Sequence, residues 1–311
     1  MSKLARPVRA GVVGAGAFGR HHARKYADDP RLQFVGVYDP DAERAQMLAD
    51  THSAEAFATL DALLTNIDIV TIASPPSQHA PAALAALLAG KHVLVEKPLA
   101  THADAGAEMV RIARERGRVL ACGHQERLVF EAMGLLTAPE QPILIESVRE
   151  GPWTGRSADV SVTLDLMVHD LDLALRLLGE KPSAVAAKAR AEFGRAADAV
   201  EARLSFEGAE AAFTSSRVAL DRKRTMRAVY PSGEVKIDFL ARTFENTTRF
   251  PLNADFAATR IGADPLGANV AAFIDAVLGL APRPAVTGEE ALAVLELALD
   301  VDRASGLPSL S

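Results

Sequence analysis

The sequence predicts an α/β protein of two domains: a doubly wound parallel sheet over residues 1–123 and an α+β domain over residues 124–311. Three observations carry this. Short β-branched runs take turns with helical segments as far as Gly123, which is the pattern of βαβ units and of helices on both faces of a parallel sheet. Beyond Gly123 strand follows strand across turn residues. A length of 311 residues with 49% hydrophobic content supplies two cores of ordinary size.

In the first domain VRAGVV reads as a strand, AFGRHHARKYADD as a helix, LQFVGVYD as a strand and DAERAQMLAD as a helix. IDIVTIA, a helix over 78–89, HVLVE, a helix over 103–116 and RVLACG continue the alternation. In the second domain a helix over 127–136 stops near APEQP, ILIESVRE is a strand, and the turn-rich GPWTGRSAD leads into a helix over 162–175. SAVAAKARAEF, DAVEARLSFE, AEAAFTSSRV, RTMRAVY and EVKIDF then form an antiparallel meander with EG and PSG at its turns. Helices over 266–280 and 288–303 complete this domain.

A formal net charge of −6, with no dense Lys/Arg tract, argues against a nucleic-acid footprint and for a small-molecule ligand. One cysteine, Cys122, excludes an internal disulfide and fits a reducing compartment, so a cytoplasmic protein is expected. The apolar run AGVVGAGAFG behind Lys3, Arg6 and Arg9 is punctuated by glycine and followed at once by RHHARK, unlike a secretory signal. AALAALLAG is less than half the length of a membrane helix, so no membrane association is expected.

The first strand runs into GAGAFG, which opens a helix with Ala17 and Phe18. Gly14 permits the tight turn, Gly16 lets backbone approach a pyrophosphate and Gly19 lets the helix pack close to the strand. The phosphates then lie on a helix N-terminus. Asp39 ends the next strand twenty residues after Gly19; a carboxylate there binds the ribose 2′-hydroxyl and repels a 2′-phosphate, favouring NAD over NADP. Lys97, in the EKP after HVLVE, lies at the carboxyl edge of the sheet, where it either acts on a substrate or is a solvated loop charge.

GAGAFG, the SPPSQH after the third strand, EKP and the D-x-x-x-H of Asp165 and His169 together resemble the Gfo/Idh/MocA oxidoreductases over nearly the whole chain. The resemblance implies an N-terminal Rossmann domain, a C-terminal domain with an open antiparallel sheet, and NAD(P)-dependent hydride chemistry on sugars or cyclic alcohols. It implies Lys97, Asp165 and His169 as the catalytic set, and Ser74, Pro75, His79 and Glu96 beside the cofactor. Pro76 stands where many relatives carry Asn. CGHQERL and LDLMVHDLD are similar to stretches of the subgroup that oxidises UDP-N-acetylglucosamine at C3, although LVFEA replaces the aromatic and the Asn-Pro expected after Arg127. A homo-oligomer is expected, because the flat face of the sheet pairs subunits in this family.

At 100° per residue, Asp165, His169 and Asp172 share one stripe of the helix over 162–175, opposite an apolar face. Such a helix is buried, with the stripe facing a partner or a cavity. Asp172 and Arg176 read as an i, i+4 ion pair. No further His or Cys cluster completes a zinc site, so no metal is expected. As a general base, His169 takes a hydroxyl proton, Asp165 orients it and Lys97 stabilises the alkoxide. Arg127, Arg149, Trp153 and Arg156 are candidate contacts for a substrate pyrophosphate and base. The function expected is an NAD-dependent dehydrogenase of a nucleotide-sugar. The rivals are a dehydrogenase of free hexose, inositol or a dihydrodiol, and a non-catalytic dinucleotide sensor.

Overall fold

The structure, a computed structural model, describes residues 6–155 and 157–310, so Arg156 lies outside the described residues. Two compact units result. The first comprises the described residues up to Ala100 together with Asp104–Gly123 and Val270–Glu289; the second comprises Thr101–Ala103, His124–Asn269 and the described residues from Glu290 on.

The first unit alternates β1 (Val8–Val13), α1 (Ala17–Asp28), β2 (Leu32–Tyr38), α2 (Ala42–Thr51), β3 (Glu55–Ala56), α3 (Leu60–Asn66), β4 (Ile69–Ile72), α4 (His79–Leu88), β5 (His92–Val95), α5 (Ala103–Glu115) and β6 (Leu120–Cys122). Asp41 caps α2 by accepting from the Arg44 N–H, and Thr59 caps α3 by accepting from the Ala62 N–H. The strands form one parallel sheet in the order β3-β2-β1-β4-β5-β6. All four residues of β4 are buried, as in a sheet covered on both faces. Sequence reading passes over β3 and α3, because two and seven residues show too little periodicity.

In the second unit α6 (Glu126–Met133) ends three residues earlier than expected, because Gly134 takes the left-handed conformation (φ 83°) and terminates it. There follow β7 (Leu144–Glu150), a wide π turn over Thr163–Met167, α7 (Val168–Leu178), β8 (Ala184–Arg190), β9 (Ala199–Phe206), β10 (Ala209–Ser216), β11 (Lys223–Tyr230), β12 (Gly233–Asp238) and β13 (Thr243–Asn246). Then come α8 (Arg260–Ala263), α9 (Pro265–Val277) and α10 (Gly288–Ser305). The sheet order is β13-β12-β11-β7-β10-β9-β8. The meander is therefore not continuous. Strand β7 enters between β10 and β11, parallel to the first and antiparallel to the second. Its inner side, Ile145, Ser147 and Arg149, is buried, which suits a central strand.

The division differs from a single boundary at Gly123. The last eight residues of α9 belong with the first unit, where Val270, Phe273 and Ile274 pack with Ala10, Val12, Tyr26, Ile69 and Leu94. Burial of that apolar stripe, together with an Arg31–Asp275 ion pair (2.5 Å), decides which sheet the helix serves.

Candidate active site

At the carboxyl edge of the parallel sheet the ladder continues past the strands. Gly14 donates its N–H to Tyr38 O (2.8 Å), Ala73 to Val13 O (2.8 Å), Glu96 to Ile72 O (2.9 Å) and Gly123 to Val95 O (2.8 Å). Four loops thus start side by side, at a strand spacing of about 4.8 Å. Strand order reverses between β2 and β4 on either side of β1, which is where open α/β sheets bind ligands.

The glycine turn fits a dinucleotide. Gly14 has φ 98°, and a Cβ there would meet the Ala73 carbonyl at 2.7 Å; a Cβ on Gly19 would fall 1.8 Å from Gly14 O. Around Gly16, by contrast, a Cβ would meet nothing within 4 Å, so its backbone is open to a close-lying phosphate. No side chain caps α1 and no acid occupies its first turn, which leaves its N–H groups and dipole to an anion. Ala17 is exposed, and Phe18 stands edge-on to His21 at 6.3 Å. Among the described residues Ser74 Oγ is buried without a hydrogen-bond partner, and Pro75 is exposed beside it.

Asp39 follows β2 directly. Its Oδ2 accepts from the Ala15 N–H (2.7 Å) and its Oδ1 from the Asp41 N–H (2.9 Å), which pins the carboxylate to the glycine turn. Each oxygen keeps acceptor capacity for a ribose hydroxyl. Replacing Asp39 by Ala removes the charge that repels a 2′-phosphate. The ratio of NADP to NAD affinity should rise roughly 10-fold, measured by titrating each dinucleotide against intrinsic fluorescence. An unchanged ratio would take Asp39 out of cofactor selection.

Glu96 and His79, expected beside the cofactor, are both buried and hydrogen-bonded within the unit. Glu96 Oε1 accepts from His22 Nε2 at 2.7 Å, while Thr71 Oγ1 lies 2.7 Å from the Tyr26 hydroxyl and 3.4 Å from His22 Nδ1. Burial works to raise the Glu96 pKa, but His22 and then Lys97 hold it below the usual carboxylate value. His79, 1% exposed, joins two loops: its Nε2 meets Ser74 O at 2.9 Å and its Nδ1 meets Pro98 O at 2.7 Å. A neutral imidazole donates from one nitrogen only, so two carbonyl partners favour the charged ring. Burial acts against them and lowers its pKa, with Glu96 also raising it and Lys97 lowering it. The polar atoms of both side chains are engaged within the unit, so their hydrogen bonds fix the loops at the carboxyl edge of the sheet. Lys97, half-buried between these anchored neighbours, leaves a backbone fixed on both sides.

In the second unit Asp165 begins from the π turn and His169 from the first turn of α7, so uniform α-helical spacing does not hold across this segment. Both are half-buried. The His169 ring stands edge-on to His124, with centroids 6.5 Å apart, a neighbour that sequence reading did not single out although it lies in CGHQERL. Asp170 and Asp172 are buried, and neither pairs along the helix. Asp172 binds Arg127, whose Nη1 also donates to Glu290 (2.6 Å); Arg176 is exposed. Asp170 Oδ2 accepts from Arg149 Nε (2.8 Å), and Glu126 Oε1 accepts from Arg149 Nη1 (2.9 Å). Burial would lower the Arg149 pKa, but these two carboxylates raise it above the ordinary arginine value. Arg127 and Arg149, 6% and 2% exposed, are therefore both held by internal acids. Trp153 is likewise occupied: it stacks on Phe193 at 4.4 Å and carries the Arg217 guanidinium at 4.9 Å. Among the described residues no group of three or more His, Cys, Asp or Glu is placed to hold a metal ion, and no helix is long and apolar enough to cross a membrane.

Comparison with known proteins places this geometry. Residues 8–124 match the family model of oxidoreductases with an NAD-binding Rossmann fold, and residues 139–235 match the Gfo/Idh/MocA C-terminal domain. UDP-N-acetylglucosamine 3-dehydrogenase of Acidithiobacillus ferrooxidans is 36% identical over 285 residues, 88% of this chain and 90% of that protein. A solved structure of that enzyme superposes with a TM-score of 0.87 at 35% identity, covering 96% of this chain and 98% of the other. Inositol 2-dehydrogenase of Rhizobium meliloti is 26% identical over 317 residues, 94% of each chain. The protein belongs to the Gfo/Idh/MocA oxidoreductases and is an NAD(P)-dependent dehydrogenase acting on CH–OH groups.

Proposed function

We propose that the enzyme oxidises a nucleotide-activated amino sugar, UDP-N-acetylglucosamine, at its 3-hydroxyl to the 3-keto sugar, with NAD preferred over NADP. The observation that carries this reading is the likeness to the Acidithiobacillus 3-dehydrogenase along 88% of this chain and 90% of that protein. The cofactor, when bound, accepts the hydride from the carbinol carbon. Gly16 and the first N–H groups of α1 hold its pyrophosphate in a turn that Gly14 and Gly19 shape, and Asp39 holds a ribose. His169 takes the hydroxyl proton as the carbonyl forms. Asp165, four residues earlier, orients the ring and favours its charged form, while the Lys97 ammonium steadies the developing alkoxide. We further assign the protein to the cytoplasm as a homo-oligomer, in keeping with its one buried thiol, Cys122.

The test is direct. The purified protein is mixed with NAD and, separately, UDP-N-acetylglucosamine, free N-acetylglucosamine and myo-inositol, and reduced nicotinamide is followed by absorbance. Turnover of the nucleotide-sugar alone is the expected result. Turnover of a free sugar or of inositol, with none of the nucleotide-sugar, overturns the reading in favour of a free polyol or hexose.

A further inference from the structure

The inner face of the second unit's sheet carries two arginines side by side and enough acid at bonding distance for only one. Arg224 on β11 is in register with Arg149 on β7. Arg149 holds Asp170 and Glu126, whereas among the described residues no carboxylate makes an ion pair with Arg224 and no acceptor takes a hydrogen bond from its side chain. Arg224 is nonetheless half-buried. Burial first, and then Arg149, hold its pKa below the ordinary arginine value, against a weaker pull from Glu126. A half-buried guanidinium whose five N–H groups find no protein acceptor among the described residues is open to the acceptors a ligand supplies.

That guanidinium lines a cavity of about 310 Å³, together with Gln125, Arg242, Phe239, Phe256 and Leu266. The volume is at the lower end of ligand sites and suits part of a larger molecule. Three carboxylates also line it, and each is already engaged. Glu126 holds Arg149, Asp238 Oδ1 accepts from the Leu240 and Ala241 N–H groups, and Asp264 Oδ1 accepts from the Gly267 N–H. Arg242, which is exposed, commits one nitrogen, Nη2, to the carbonyls of Ala257 and Gly262. Arg224 is thus the half-buried donor of the lining whose whole guanidinium is uncommitted among the described residues. Gln125, part of the lining, follows His124 in the chain, and the His124 ring stands edge-on to that of His169, with centroids 6.5 Å apart.

We propose that this cavity is the anion subsite of the enzyme, in which Arg224 grips the diphosphate of the nucleotide-sugar by a bidentate contact. The assignment rests on the nucleotide-sugar reading of the substrate. It also accounts for a specificity that Arg127 and Arg149, closed off by acids, do not supply. Arginine's planar fork matches phosphate oxygens in pairs, a geometry lysine reproduces only in part.

The experiment is calorimetric and needs no turnover. UDP and uridine are titrated into the NAD-loaded wild type, into Arg224→Gln and into Arg224→Lys, with thermal melts of each. UDP should bind the wild type, bind Arg224→Gln roughly 10- to 100-fold more weakly, and bind Arg224→Lys in between; uridine should bind all three alike. Equal UDP affinity in wild type and Arg224→Gln, or no UDP binding to the wild type, overturns the subsite. If Arg224→Gln does not fold, Arg224→Lys and the UDP-to-uridine ratio of the wild type decide: a ratio near unity, or full affinity in the lysine variant, rejects it. Should UDP bind through Arg224 while UDP-N-acetylglucosamine is not oxidised, the substrate reading fails and the anion subsite stands.

Discussion

His169→Ala lowers kcat by about 10²-fold or more, while the affinity for NAD stays within about twofold of wild type. The size follows from the task. Loss of hydride from a carbinol carbon leaves an oxygen whose proton must go elsewhere, and an imidazole titrates close enough to neutral pH to take it and pass it to water. NAD binding is spared because the glycine turn, α1 and Asp39 all belong to the first unit, whereas His169 begins α7 in the second. Rate against pH supplies a control that a merely loosened fold would not pass: the acidic limb set by protonation of the base should disappear in the variant. Steady-state rates across pH, with NAD titrations alongside, make the check, and an unaltered kcat removes His169 from the mechanism.

The largest effect on stability is expected from Asp170→Ala. Arg149 is 2% exposed, and Asp170, equally buried, takes two of its N–H groups at 2.8 and 3.0 Å. Breaking a buried pair from one side leaves an undercompensated charge in a medium that solvates it poorly, at a cost of about 3 kcal/mol even with Glu126 still in place. For a unit of this size that lowers the melting temperature by roughly 6–12 °C. Arg176→Ala, on the exposed side of the same helix, should change stability by less than about 0.5 kcal/mol. Thermal melts of the two variants separate the buried network from the surface pair that helical spacing alone suggests. Equal melting temperatures would show that Arg149 finds other partners at no cost.

Much of the fold is legible because it depends on local chemistry. The βαβ alternation reads from β-branched runs and caps, and the order Gly14, Gly16, Gly19 reads as turn, open backbone and close packing, in keeping with the two short Cβ distances at Gly14 and Gly19 and the open space at Gly16. Asp39 is placed by chain distance alone. What local pattern misses are the pairings between segments far apart in sequence. Asp172 finds Arg127 across 45 residues instead of Arg176 across four, because inside the unit a buried guanidinium outcompetes a solvated one. Glu96 turns to His22, 74 residues away. The π turn at Thr163–Met167 carries no mark in sequence, yet it sets where Asp165 and His169 leave the backbone.

By itself the sequence determined the longer elements, the doubly wound first domain, the dinucleotide turn and the family, since each rests on residues close together in the chain or on motif order. Only the tertiary structure decided where β7 enters its sheet, which unit owns α9, and which charges are spent within the protein. Burial and long-range pairing settle those questions: an apolar stripe goes where it leaves water, and a buried arginine takes whichever acid the fold brings within reach, while among the described residues Arg224 has no acid at ion-pair distance.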